Sequence, residues 1–203
     1  MSDPAAPGGR LPAVSDPHVG FADNRAVVDA LRPAAEGDRP IAAGDLGETA
    51  AEVEWALGVP ADRFARVVRA PGNHELWTHP QDPVRLRGEE RYRYLVGLCR
   101  DRGVLTPEDP YPARRGPGGQ AAVVPLVLRR PESAQWCGTG LTADRRLRHR
   151  PAAVVHGHPH IPRTTWYDGV RFEEVSPGHP RERRRYGFTR DWPVQILPAP
   201  EGP

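Results

Sequence analysis

The chain has 203 residues, 38% of them hydrophobic, with 28 basic and 26 acidic side chains and a formal net charge of +2. This length excludes a peptide-like scaffold and is enough for one domain with a real core, while the small net charge excludes a chain kept expanded by self-repulsion. No apolar run approaches the ~18 residues that cross a bilayer, and the N-terminus lacks the features of a signal peptide, so we expect a cytoplasmic protein without a membrane partner.

The first half of the chain alternates short apolar runs with helical patterns, which is typical of an α/β protein. Helices are predicted where apolar side chains recur every three or four residues, and the last of them has its apolar face at Tyr92, Leu95, Val96 and Cys99. The predicted segments, in chain order, are strands at 11–15, 40–43 and 64–70, alternating with helices at 24–31, 48–57 (ending at Gly58 and Pro60) and 86–102 (ending at Gly103).

The second half is less regular. Residues 106–119 hold four prolines and three glycines, which predicts a loop, and the apolar residues 120–128 predict a buried strand. Further strands are expected at 152–155, 164–167, 170–175 and 194–197, with Asp168-Gly169 as a strong hairpin signal. We therefore expect one domain at 11–198, with disordered tails at 1–10 and 199–203.

All 28 basic residues are arginine, and over most of the chain they are interspersed with acids, so nucleic-acid binding is not indicated. The densest late run, Arg-Glu-Arg-Arg-Arg at 181–185, is expected to be a solvated tail, with a phosphate or RNA contact as the alternative. Cys99 and Cys137 fit neither a metal clip nor a disulfide framework, and Cys99 is predicted to lie in the core.

Polar side chains follow four of the strand-like segments. Open α/β sheets place their ligand groups at the carboxyl ends of strands, so these side chains are expected to meet. Imidazole nitrogens, carboxylates and an amide oxygen suit zinc, iron or manganese better than calcium. The candidate residues are Asp16, His18, Asp45, Asn73, His74, His158 and His160.

The order of these motifs resembles that of the calcineurin-like metallophosphoesterases. The matching motifs are Asp16-x-His18, Gly44-Asp45, Gly72-Asn73-His74-Glu75 and Gly157-His158-x-His160, within residues 11–180. The resemblance implies an α/β fold in which two mixed sheets form a sandwich flanked by helices, with a two-metal centre at one edge. The chain is short for the family between the last two motifs, so we expect the second sheet to be incomplete.

The resemblance also implies roles for the individual residues. Asp16, His18 and His160 would hold the first of two divalent ions, and Asp45 would bridge both. A shared carboxylate sets two cations ~3.5–4 Å apart, where a water between them ionises near neutral pH and becomes the nucleophile. We therefore expect hydrolysis of phosphomonoesters or phosphodiesters by a metal-bridging hydroxide, with manganese, iron or zinc as the metal and a phosphoester as the partner. The substrate and the oligomeric state stay open.

The second metal would be held by Asn73 and His158 together with the bridging carboxylate. His74 would lie beside the phosphate, off the metals, and protonate the departing oxygen. Glu48 stands where many relatives have Asp, a position that supports the site from behind the ligands. His179 is expected to be a loop residue.

One ligand of the family pattern is missing from this chain. Relatives carry a further histidine for the second metal between the Gly-Asn-His and Gly-His-x-His motifs, and the neighbouring sequence puts its position near Val123. Between Leu76 and His156 the chain offers only His79 and His149, neither in a suitable setting. We therefore expect a weak second site. The alternative is a catalytically impaired or inactive protein that binds at most one metal.

Overall fold

A computed structural model describes residues 9–116, 119–124 and 151–199. Within these residues the chain forms ten strands and five helices, in an order that alternates them through the first half. The strands are β1 (Leu11–Val14), β2 (Ile41–Ala42), β3 (Val67–Arg69), β4 (Val104–Leu105), β5 (Ala113–Gly116), β6 (Gly119–Ala122), β7 (Ala153–His156), β8 (Thr164–Tyr167), β9 (Val170–Glu174) and β10 (Val194–Leu197). The helices are α1 (Ala22–Asp29), α2 (Ala50–Ala61), α3 (Asn73–Leu76), α4 (Gly88–Asp101) and α5 (Pro180–Tyr186).

The larger sheet has five strands in the order β10-β1-β2-β3-β4. Strands β1 to β4 are mutually parallel, and β10 joins β1 as an antiparallel edge strand. Parallel strands end at the same edge of a sheet, so the segments that follow β1, β2 and β3 all emerge together there. This edge carries three of the four predicted motifs.

The second sheet has three strands in the order β7-β9-β8. Strands β8 and β9 form the predicted hairpin, and both turn residues, Asp168 and Gly169, have the positive φ that a type I′ turn requires. Strand β7 runs parallel to β9 and delivers the fourth motif at its carboxyl end. The two mixed sheets with flanking helices confirm the predicted fold class.

Strand β1 separates two apolar cores. Leu11 and Ala13 point to one side, where they pack with Val175, Val194 and Ile196 and so join the larger sheet to the end of β9. Val14 points to the other side and packs with residues of α1, α2 and α4. Successive side chains of a strand alternate between its faces, so the residues of β1 pack into both apolar cores.

The predicted end of helix α2 at Gly58 is wrong. The helix begins after Thr49, whose side chain and that of Glu52 form a reciprocal cap, and it continues through Pro60 to Ala61. Gly58 and Pro60 are both buried. Tertiary packing therefore outweighs the low helix propensity of these two residues.

Two buried ion pairs lie between helix α4 and the edge of the larger sheet that carries the motifs. Arg91 of α4 pairs with Asp82 at 2.9 Å, and its Nε donates to the carbonyl of Glu75 at 2.6 Å. Arg69, at the end of β3, pairs with the carboxylate of Glu75. All four side chains are buried, so each charge depends on its partner. The expected apolar face of α4 is present at Leu95, Val96 and Cys99, whereas Tyr92 is only half-buried.

Three further predictions need correction or lie outside the described residues. The loop predicted at 106–119 is interrupted by β5, whose backbone pairs with β6 in a hairpin that satisfies its polar groups. The arginine run at 181–185 belongs to helix α5 and is not a tail. Predictions for 1–8, 125–150 and 200–203, which include Cys137 and His149, fall outside the description. Among the described residues, no helix has the length and apolar character needed to cross a membrane.

Candidate metal centre

The loops that follow β1 and β2 are bonded to each other at the carboxyl edge of the larger sheet. The amide of Asp16 donates to the carbonyl of Gly44 at 2.8 Å, and the amide of His18 donates to the carbonyl of Asp45 at 3.2 Å. The third loop joins them because the amide of His74 donates to the Asp45 carboxylate at 2.8 Å. Backbone hydrogen bonds thus hold the first three motifs in fixed relative positions.

The backbone of these loops is strained at the predicted ligands. Among the described non-glycine residues, six have positive φ, and five of them are Asp16, His18, Asp45, His158 and His160. The sixth belongs to the β8–β9 turn. Positive φ is unfavourable for side-chain-bearing residues and persists where the surrounding structure imposes it, most often at functional sites. The strain therefore marks the same residues as the sequence motifs do.

The first cluster consists of Asp16, His18 and His160, whose ligand atoms lie within 4.8 Å of one another. His160 Nε2 lies 3.3 Å from the Asp16 carboxylate, and the amide of His158 donates to both of its oxygens at 3.0 Å. Asp16 is 1% exposed and His18 2%. The structure thus brings together the three residues expected at the first metal.

The second cluster consists of His18, Asp45 and His74, again within 4.8 Å. His74 Nδ1 lies 2.7 Å from a carboxylate oxygen of Glu48, so Glu48 supports the ring from behind. Asn73 is the first residue of α3, one position from His74. His158 belongs to none of the three such clusters among the described residues, although its backbone is bound to Asp16.

Neither ring nitrogen of His18 has a partner at hydrogen-bond geometry among the described residues, and a Glu48 oxygen lies 3.5 Å from Nδ1. A buried polar atom without a partner costs free energy unless a ligand completes it. Burial raises the pKa of Asp45, and the Asp16 and Glu75 carboxylates raise it further, to about 7. The carboxylates repel one another, and the imidazole nitrogens of His18 beside them have no hydrogen-bond partner among the described residues. Such a set of donor atoms fits divalent cations.

Two glycines allow the backbone to approach the carboxylates. A methyl group on Gly157 would lie 1.8 Å from an Asp16 oxygen and 2.1 Å from the Ser15 hydroxyl oxygen, and one on Gly72 would lie 2.1 Å from Asp45 Oδ1. Such contacts are impossible without movement of the carboxylates. These two positions therefore require glycine, because the backbone there passes too close to a carboxylate to leave room for a side chain.

We expect Gly157→Ala to lower affinity for the first metal about 10–100-fold, because the new methyl group displaces the Asp16 carboxylate. Metal content after dialysis and circular dichroism measure affinity and folding separately. Gly97→Ala in α4 is the matched control, since a methyl group there meets nothing within 4 Å. Unchanged metal retention in Gly157→Ala would remove Asp16 from the ligand set.

Sequence reasoning missed His179 and Glu182. The ring of His179 stacks on that of His18, with centroids 4.8 Å apart, and its Nδ1 has no partner among the described residues. Glu182 accepts from the His179 amide at 2.8 Å and lies 2.8 Å from His160 Nδ1. Burial lowers the pKa of His160, but the Asp16 and Glu182 carboxylates outweigh burial and raise it to about 9. A Glu three residues after a helix-starting position was the signal available in the sequence.

Val123, where the missing histidine was expected, contributes to the apolar core between the sheets. Its amide donates to the carbonyl of Pro112 at 3.1 Å. A second metal site that lacks this histidine stays a prediction, and the metal titration described below tests it.

Comparisons with known proteins agree with this geometry. The family model for calcineurin-like phosphoesterases matches residues 10–162. The acyl-carrier-protein phosphodiesterase PptH of Mycobacterium tuberculosis is 35% identical over an alignment of 272 positions that covers 93% of this chain and 83% of the relative. An alignment longer than the chain itself means that the relative has segments without a counterpart here, as an internally shortened chain requires.

The crystal structure of the Mycobacterium tuberculosis protein, described as a phosphopantetheinyl hydrolase, superposes with a TM-score of 0.86 at 33% identity. The match covers 97% of this chain and 98% of the other. The fold of this chain is thus matched over nearly its full length.

Proposed function

Because the chain belongs to the calcineurin-like metallophosphoesterases, we propose that it cleaves the phosphodiester that joins phosphopantetheine to an acyl carrier protein. Hydrolysis of phosphoric esters follows from the family, and the activity of the Mycobacterium tuberculosis relative suggests the substrate. The proposal rests mainly on the structural similarity to that enzyme, which covers 97% of this chain. The clustering of the motif residues at the edge of the larger sheet supports it.

We propose that two divalent cations bind at this edge. Asp16, His18 and His160 would hold the first, with Asp45 shared between the two. The cations supply Lewis-acid activation of water and neutralise the phosphoester oxygens. The buried carboxylates and the unpartnered nitrogens of His18 support this assignment.

The second cation would take Asp45, Asn73 and His158. We expect it to bind more weakly than the first, because fewer protein groups hold it. The metal that fills these sites in the cell would be manganese, iron or zinc, which are the metals that such a mixed donor set accepts.

His74 would deliver the proton that the leaving oxygen requires. Its Nδ1 is occupied by the Glu48 carboxylate at 2.7 Å, which fixes the ring and leaves Nε2 for the substrate. Its amide is held by Asp45, so the ring is positioned relative to the cations through one side chain. A carboxylate behind a histidine also favours the protonated ring, the form that a general acid needs.

A metal titration tests the proposal against the alternative of an impaired single-metal protein. We expect about one equivalent to bind tightly and a second to appear only near millimolar manganese, with activity following the second equivalent. Purified protein is freed of metal, titrated with Mn²⁺, and assayed on phosphopantetheinylated acyl carrier protein and on bis(p-nitrophenyl) phosphate.

Each result has one interpretation. Hydrolysis of the small diester without hydrolysis of the carrier protein contradicts the proposed substrate and leaves the phosphodiesterase intact. No hydrolysis of either at saturating metal establishes the impaired protein. Two equally tight equivalents show that another side chain has replaced the missing ligand.

A further inference from the structure

The arginine-rich helix α5 lies directly beside the candidate metal centre. The residue before it, His179, stacks on His18, and Glu182 within it contacts the ring of His160. The carbonyl of Gly178 also accepts a buried hydrogen bond from Asn24 of α1 at 3.1 Å. These contacts fix the helix against the centre, so its arginines have defined positions relative to the candidate metal ligands.

The outer face of α5 is strongly basic. Arg181, Arg184 and Arg185 are exposed, and the helix has one acid, Glu182, which is occupied by His160. Arg184 lies 3.5 Å from Asp23, but the two side chains are 71% and 66% exposed. An ion pair so open to solvent is worth little and leaves most of the positive charge available to a partner.

Aromatic side chains continue this basic face. Tyr186 is 59% exposed, stacks on Phe188 with centroids 5.7 Å apart, and lies under the guanidinium of Arg185 at 5.4 Å. Phe21 is 46% exposed and packs nearly perpendicular to the His179 ring, with the ring centroids 5.0 Å apart. Exposed arginine and tyrosine together are the residues enriched where protein partners bind.

We propose that the α5 surface, formed by Arg181, Arg184, Arg185 and Tyr186, docks an acidic acyl carrier protein and presents its phosphodiester to the metal centre. The inference rests on the proposed function. Positive charge next to the centre attracts a negatively charged carrier and speeds its encounter. RNA would meet the same charge, but the other arginines are interspersed with acids and supply no continuous stripe for a nucleic-acid backbone.

Charge reversal on this surface tests the inference. Arg181→Glu with Arg185→Glu is compared with Arg32→Glu and Arg66→Glu, which make the same charge change near the opposite edge of the sheet, after α1 and before β3. Substrates are a phosphopantetheinylated acyl carrier protein of net negative charge and bis(p-nitrophenyl) phosphate. For the α5 pair we expect kcat/KM on the carrier protein to fall at least about tenfold more than kcat/KM on the small diester, mainly through KM.

Salt supplies a second readout. The reaction of the natural chain with the carrier protein should slow as sodium chloride rises from about 50 to about 300 mM, and this dependence should nearly vanish in the α5 variant. Equal losses on both substrates would assign the arginines to the metal centre and overturn docking. Equal losses in the two double variants would overturn it as well, since general charge would then explain them.

Direct binding separates this inference from the proposed function. Calorimetric titration with the carrier protein should show weaker binding to the α5 variant than to its control, whether or not the carrier is hydrolysed. Equal binding to both variants overturns the α5 surface as a docking site. Binding of a single-stranded RNA that is tighter than that of the carrier protein, and lost in the α5 variant, replaces the carrier with a nucleic acid.

Discussion

Asp45→Asn should abolish both metal retention and hydrolysis, with turnover reduced at least about a thousandfold. Removal of a single electrostatic stabiliser of a transition state costs ~10²–10³, and this substitution weakens the binding of both cations that stabilise the phosphate. Asn73 offers only a neutral oxygen to the same region, so it does not replace the lost charge. Metal analysis after gel filtration and an assay with added Mn²⁺ measure the two effects.

The folded protein should survive this change. Asp45 is buried beside the Asp16 and Glu75 carboxylates, which repel its negative charge, and an asparagine keeps the oxygen that accepts from the His74 amide. The metal-free variant is therefore expected to unfold at no lower temperature than the metal-free natural chain. Asp29→Asn, the same chemical change at a half-exposed side chain, serves as the control. A full metal complement in Asp45→Asn would show that the carboxylate does not bridge.

The second large effect is expected from His74→Ala, which should lower turnover ~10²–10⁴-fold while metal content stays the same. The loss should be largest for the alkyl ester of the carrier protein and much smaller for bis(p-nitrophenyl) phosphate, whose leaving group needs no proton. Turnover on both substrates and metal analysis of the variant measure this directly. Glu48→Gln should cause a smaller loss with the same dependence on the leaving group, because the ring stays in place but loses the carboxylate that orients it and favours its protonated form.

The geometry makes this test decisive in both directions. His74 lies within 4.8 Å of the ligand atoms of His18 and Asp45, close enough to share a metal with them. Loss of a metal equivalent in His74→Ala would make His74 a metal ligand in place of the missing histidine. A uniform loss on aryl and alkyl esters with metal retained would instead assign it to substrate positioning.

The elements that sequence reasoning predicted correctly are those with local signals. Strand β1, helix α4 with its Gly103 end and the Asp168-Gly169 hairpin each follow from periodicity or turn chemistry in a few consecutive residues. The motif residues were found because parallel strands end at one edge, so separate short motifs converge there whatever lies between them. Asp16 and His160 meet across 144 positions because β7 of the second sheet delivers its motif to the same edge.

The features that sequence reasoning missed depend on contacts distant in sequence. Helix α2 continues past Gly58 because that glycine is buried in the folded chain. His179 gave no signal of its own, since its place on His18 arises only when α5 packs beside α1. Glu75, the last residue of the third motif, is fully buried, and its contacts with Leu46 and Arg69 are equally invisible to local patterns.

The position of Glu75 links the chemistry of the centre to the integrity of the fold. One of its oxygens accepts from the amide of Leu46, next to Asp45, while the other binds Arg69. Its carbonyl accepts from Arg91, which holds Asp82, and Asp82 in turn accepts from the amide of Ala50 at the start of α2. A mutational scan scored by activity alone would thus count these buried polar residues among the active-site positions, although they touch no substrate. In evolutionary terms, the ligand loops of this chain are able to change only together with the core that supports them.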